Sequence, residues 1–156
     1  MTGAHRSYVS YIDKSREFYA AQGYPQPYRW ATHDDAPFSR LHKPLSASRV
    51  AIVTTTKSQD HDELRPFSAS STPPPLAMVT DHLSWHKEAT HTDDLGSFLP
   101  LEHLEALAVS GVIGSASPRF VGIPTIYSQR RTVTWAEEVL AVLREDDVDV
   151  AVLVPL

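Results

Sequence analysis

Between Asp81 and Leu104 the sequence runs DHLSWHKEATHTDDLGSFLPLEHL. It gathers half of the chain's eight histidines, His82, His86, His91 and His103, with Asp81, Asp93, Asp94 and Glu102 among them. His82 and His86 are four residues apart, so on a helix both imidazoles project from one face. That spacing suits two ligands of one divalent cation, zinc or iron, with His91 or Asp94 as a third ligand from the loop that follows. A cation held there would polarise a carbonyl or activate water on a small amino-acid-like substrate, which makes His82 and His86 candidate catalytic residues as well as ligands. The alternative is a solvated surface, because a histidine pair in a Thr- and Asp-rich segment needs no ligand to exist.

A second group of candidates follows the first clear strand, Arg49 to Thr56 (RVAIVTTT). Val50, Ala51, Ile52 and Val53 are apolar on both faces, as a strand inside a parallel sheet requires. Ligands of open α/β sheets gather outside the carboxyl ends of the strands. Thr54, Thr55 and Thr56 are therefore candidate substrate contacts, and Lys57 a candidate catalytic residue or carboxylate partner. Arg119 is placed with the threonines as a substrate-binding cation. No Gly-rich phosphate fingerprint accompanies them, so no nucleotide site is expected.

The elements that must hold these residues are legible to different degrees. Residues 7 to 22 (SYVSYIDKSREFYAAQ) read as a helix stopped by Gly23 and Pro25. Tyr24 to Pro44 is proline-punctuated and reads as an extended arm, with Tyr28, Trp30 and Phe38 to pack against the domain. Gln59 to Pro75 is polar, ends in Thr-Pro-Pro-Pro and reads as an exposed excursion of polyproline II character. Pro100 to Gly111 is a helix with a Leu101, Leu104, Leu107, Ala108 stripe, a proline in its first turn and a glycine stop; His103 falls off the stripe. Val112 to Ile126 reads as a loop with a strand near Arg119 to Ile123. Thr134 to Arg144 reads as a second, mostly buried helix, with Thr134 and Glu137 as a capping box. Val148 to Val154 reads as a buried parallel strand. Strand, helix and strand in this order predict a single α/β domain over residues 1–156: a small three-layer parallel sheet, with residues 1–45 as helix and arm and 46–156 as core.

Composition narrows the partners. The chain has 156 residues, 42% hydrophobic and 21% charged, with a net charge of -5 and no basic cluster, so neither nucleic acid nor an anionic membrane is expected. The longest apolar run, VDVAVLVPL, is too short to span a bilayer, and the polar N-terminus lacks a signal-peptide core; the expected location is cytoplasmic. The absence of cysteine excludes disulfides, thiolate ligands and a thiol nucleophile from these residues.

The order of segments resembles the glycine/sarcosine/betaine reductase component B and D-proline reductase family. The resemblance is collinear over nearly the whole chain: YIDKSREFYAAQGYPQPYRW, DDAPFSRLHKPLSASRVAIVTT, FLPLEHLEALAVSGVIGSASPRFVGI and EEVLAVLREDDVDVAVLVPL. Its most specific blocks are Ala36 to Thr55, Pro100 to Ser115 and the terminal VDVAVLVP. The resemblance implies reductive cleavage of a carbon–nitrogen bond in a small amino acid, with a selenol or thiol as the attacking group. Members typically carry that group in a Cys or Sec motif just after the terminal strand, and this chain offers it no position. Thr56 and Lys57 also replace the small residue and glycine usual in the family, and His82, His86 and Asp94 match its histidine stretch loosely.

Three expectations follow. The first is a subunit of a reductase-like enzyme that needs a Cys-bearing partner subunit, or a homo-oligomer, to cover its last strand. The second is a metal-dependent lyase or hydrolase using His82 and His86. The third is a non-catalytic structural subunit.

Overall fold

The computed structural model describes residues 11–24, 26, 34–35, 39–59, 64–80, 91–126 and 128–156. The backbone forms two compact units, Met1–Phe38 and Ser39–Leu156. In the first, helix α1 spans Tyr11–Ala21 and stops at Gly23, which turns with a φ of 84° that glycine adopts without penalty. Phe18, Tyr19 and Tyr24 meet edge to face around this end. Residues 7–10 of the expected helix and the arm aromatics Tyr28, Trp30 and Phe38 lie outside the described residues.

The second unit is an α/β domain. Its strands are β1 (Arg49–Thr54), β2 (Phe67–Ser70), β3 (Ser115–Ala116), β4 (Arg119–Gly122) and β5 (Val150–Val154). β1 lies at the centre, parallel to β5 on one side and to β3 and β4 in turn on the other, and β2 runs antiparallel beyond β4. β3 and β4 are two pieces of one line of chain. Val50 pairs with Ala116 and Val53 with Val121, so Ala51 and Ile52 stand opposite the four residues from Ser117 to Phe120. The surplus is taken up at Ser117–Pro118, where proline has no N–H to give the ladder.

Helices α2 (Leu101–Val109) and α3 (Gln129–Glu145) cover opposite faces. On one face Val50, Ile52 and Phe120 pack with Phe98, Leu99, Leu101, Leu104 and Ile113. On the other, Val53 and Val121 pack with Val139, with Val142 and Leu143 alongside. The change of face between Ile52 and Val53 is the strand alternation, which is why an unbroken apolar run was needed in β1. The result is the expected three-layer α/β arrangement.

Several expectations change in detail. β2 falls within the stretch read as an irregular excursion. Its FSAS sequence alternates half-buried and exposed residues, and the Phe67 ring packs edge to face on Phe120. A Cβ at Gly122 would enter the Phe67 ring, so this close approach requires glycine. α3 begins five residues earlier than expected. Ser128 rather than Thr134 is its N-cap, accepting from the Arg131 N–H at 3.4 Å, while Thr134 bonds back to the Arg130 carbonyl inside the helix. Pro100 precedes α2 as its N-cap instead of sitting in the first turn, and Gly111, at φ 75°, closes the helix as expected. Leu107, expected in the buried stripe of α2, is exposed, and α3, expected to be mostly buried, buries only Trp135 and Val139 and leaves Leu140 exposed. β5 is parallel as expected, but it is an edge strand whose three central residues are exposed rather than buried.

Candidate functional site

The carboxyl ends of β1 and β4 share one edge of the sheet. From β1 the chain runs to β2, on the far side of β4, before it reaches α2 on one face; from β4 it passes through residues 123–128 into α3 on the other. The carboxyl edge is the usual ligand position in open α/β sheets. The Ile123 N–H donates to the Thr54 carbonyl at 2.8 Å and holds the two strand exits together there.

The three threonines have different roles there. Thr54 is 1% exposed, and its hydroxyl donates to the Phe98 carbonyl at 2.9 Å on the α2 side. Thr56 is equally buried, with its hydroxyl 3.4 Å from that of Thr54. Both candidate substrate contacts are buried here, with their hydroxyls turned to internal partners. Thr55, of opposite facing, is partly accessible. Its hydroxyl accepts from the Leu156 N–H at 2.9 Å and lies 3.4 Å from the Leu156 carbonyl oxygen, tying the exit of β1 to the exit of β5. Lys57 is half-buried, and its backbone is fixed by a two-way pair with Val79, N–H to carbonyl at 3.2 and 2.8 Å. Thr55 and Lys57 are thus the members of this group that the fold leaves partly accessible past the end of β1.

Arg119 is not with them. It opens β4, at the amino end of the parallel strands, and grips Asp146 with Nε at 2.9 Å and Nη2 at 2.8 Å, while Nη2 also reaches Glu145 at 2.8 Å. These carboxylates hold its pKa above the ordinary guanidinium value, first through the Asp146 hydrogen bonds and then through Glu145. Arg49 joins the same end, donating to the Asp146 carbonyl, while its own N–H is taken by Asp149 at 2.7 Å; Lys43 pairs with Asp149 at 2.7 Å. The Arg119 guanidinium fastens the amino edge through Nε and Nη2, which reach the end of α3. The structure therefore places this candidate substrate cation at the opposite end of the sheet from the threonines.

Of the histidine segment, His82 and His86 lie outside the described residues. His91 is exposed, with Nδ1 3.4 Å from an Asp93 carboxylate oxygen. Asp94 caps the short turn Leu95–Ser97, accepting from the Gly96 N–H at 3.0 Å. With His103 and Glu102 it borders a shallow cavity of about 330 Å³ walled by Pro74, Leu76 and Leu99. Among the described residues no group of three or more His, Cys, Asp or Glu is placed to hold a metal ion.

Sequence reasoning missed one feature of this edge. α3 starts seven residues after the end of β4, so its N-terminus sits at the carboxyl edge, with Arg130 and Arg131 exposed in its first turn and no acidic residue in that turn to offset them. Cations are disfavoured by the helix dipole at this end. Two of them there give the edge a positive potential. The signal was present in SQRRT, but placing the helix start at Thr134 left both arginines in a loop.

No family model, no curated protein and no solved structure matches this chain.

Proposed function

We propose that this chain is a subunit of a reductase-like enzyme of the D-proline/glycine reductase type, acting on a small amino-acid-derived substrate together with a Cys-bearing partner subunit. One observation carries the reading. The blocks of sequence on which the resemblance rests become neighbours: the strand part of the first is β1, the second is α2 and the start of β3, and the third is β5. They meet around β1, with β3 at its amino end and β5 along its length.

In this reading Lys57, past the end of β1, and Arg130, Arg131 and the N-terminus of α3, past the end of β4, draw the substrate carboxylate to the carboxyl edge. Thr55 steadies that edge by tying β1 to β5. The thiol or selenol that attacks the substrate comes from outside these 156 residues, none of which is a cysteine, and the partner subunit is the source proposed for it. A cytoplasmic location fits this chemistry, because reduced thiols persist there. Among the described residues no helix is long and apolar enough to cross a membrane.

The test is native mass spectrometry of the untagged protein purified from its source. The expected result is a complex with a second polypeptide that carries Cys or Sec and that confers reductive release of amine from a small amino acid. Isolation without any such chain, and no reductase activity in the purified material, would overturn the reading.

A further inference from the structure

We infer that the amino end of β1 carries a second small-molecule site, separate from the carboxyl edge, that takes a small neutral polyol. The observation behind it is a pair of buried hydroxyls left with bonds to make. Ser117 is 2% exposed and stands in the surplus between β3 and β4. Its Oγ accepts from the Arg119 N–H at 3.4 Å, but its own proton has no acceptor among the described residues. Ser71 is 8% exposed. Its backbone N–H donates to the Pro118 carbonyl at 2.8 Å, and its hydroxyl has no partner among the described residues. Buried polar groups are costly to leave unpaired. Extra residues in a sheet ladder are over-represented beside functional sites.

Both serines line cavities. The Ser71 cavity, about 220 Å³, and the Ser117 cavity, about 280 Å³, share Thr72, Glu105 and Ala116 and so adjoin. Together they reach the size range of small-molecule sites. Glu102 borders the first and Arg49 the second. Glu102 and Glu105 are exposed on α2, and neither carboxylate has a cation partner among the described residues. Arg49 and Glu105 thus line one cavity with opposite charges and form no ion pair with each other.

The bonding left over selects the ligand. The protons of Ser71 and Ser117 need acceptors, while the carboxylates of Glu102 and Glu105 need donors. A hydroxyl group is both. A cation would satisfy the carboxylates, oppose Arg49 and offer the serine protons nothing; an anion would meet two carboxylates. A zwitterion would need Arg49 to grip its carboxylate at two points. That grip is spent, with Nε on the Ser115 hydroxyl at 3.3 Å and Nη1 on the Asp146 carbonyl. Adjacent hydroxyls of a polyol donate to Glu105 and accept from Ser117, with carbon faces against Leu101 and Pro118. The site lies at the opposite end of β1 from Thr55 and Lys57, so the inference stands whether or not the functional proposal does.

Amide chemical-shift mapping tests it, with glycerol, xylitol and glucose as polyol probes and ethanolamine, acetate and glycine as the charged ones. At least one polyol shifts the amides of Ser71, Thr72, Glu105 and Ser117 saturably, and the charged probes do not. Glu105→Ala, on the exposed side of α2, weakens that binding by about tenfold, the worth of one hydrogen bond to a charged group. Ser117→Ala weakens it by about fivefold and melts no lower than wild type, because the proton it removes serves nothing in the fold. No saturable shift with any of the three polyols overturns the inference. So does a charged probe that binds here as tightly as the best polyol, or a pair of variants that bind the polyol as wild type does. Should Ser117→Ala fail to fold, Glu105→Ala decides, and wild-type affinity in that variant overturns the site.

Discussion

Arg119 and Asp146 form a two-point grip, Nε and Nη2 each within 2.9 Å of one carboxylate oxygen, that binds the start of β4 to the end of α3. The side chain of Asp146 is only 10% exposed and that of Arg119 30%, so the pair is partly shielded from water. Replacing Arg119 with Gln leaves a nearly buried carboxylate without its cation. The expected loss is about 2 kcal/mol of unfolding free energy, measured by urea denaturation, with ligand affinity unchanged. Loss of affinity at full stability would return Arg119 to the binding site.

Asp149 gives the same edge a pH dependence. The Lys43 ammonium, and then the Arg49 N–H, hold its carboxyl below the ordinary value of 3.8. A carboxyl whose folded pKa is depressed stabilises the fold fully above its unfolded value, and that contribution is lost as pH falls through the lower folded value. Asp149→Asn therefore flattens the melting-temperature profile at the acid end, below about pH 4, and lowers stability at neutral pH. Thermal melts of both proteins across the acid range check this.

Asp147 closes α3 with a φ of 51°, a left-handed conformation that costs a residue with a Cβ. It follows the helix in the place where glycine is favoured, with the Val148 N–H donating to the Leu143 carbonyl at 2.9 Å. Asp147→Gly is expected to stabilise the domain by up to about 1 kcal/mol, seen as a higher denaturation midpoint. Asp147→Ala, which relieves nothing, is expected to leave it unchanged or lower.

Thr54 tests whether the threonine cluster is structural or catalytic. Thr54→Val keeps the shape and removes the hydroxyl that serves the Phe98 carbonyl. The expected cost is about 1–3 kcal/mol for a buried carbonyl left unpaired, in chemical denaturation, with no effect on substrate affinity beyond that on stability. Thr55→Ala, which frees the Leu156 backbone, is expected to weaken substrate binding while costing little stability, as read by calorimetric titration beside a melt.

The parts of the fold legible in the sequence are those in which one strong pattern governed one element. Val50 to Val53, apolar on both faces, announced the central strand, and the Leu101–Leu104 spacing with Gly111 behind it announced α2. β2 was hidden because four residues of FSAS carry too little pattern to outweigh the prolines and hydroxyls around them; Phe67 finds its partner only when Phe120 arrives from far along the chain. The exposure of β5 was hidden for the opposite reason. An apolar run looks the same whether its second neighbour is present or not, and only the sheet order places it at an edge. At the site, the position of Thr55 and Lys57 at a strand's carboxyl end followed from sequence. Arg119 misled because a sequence shows a cation without showing the two carboxylates, 26 and 27 residues on, that occupy it.

The central claim is that the carboxyl ends of β1 and β4 receive a small amino-acid-derived anion. Amide chemical-shift mapping of the chain titrated with glycine, sarcosine, betaine and D-proline tests it most directly. The account predicts that one of these shifts the amides of Thr55, Thr56, Lys57, Ile123, Thr125 and the first turn of α3, and leaves Arg119, Asp146 and Asp149 in place. Shifts confined to the amino edge, or none at the carboxyl edge with any of the four, would contradict it.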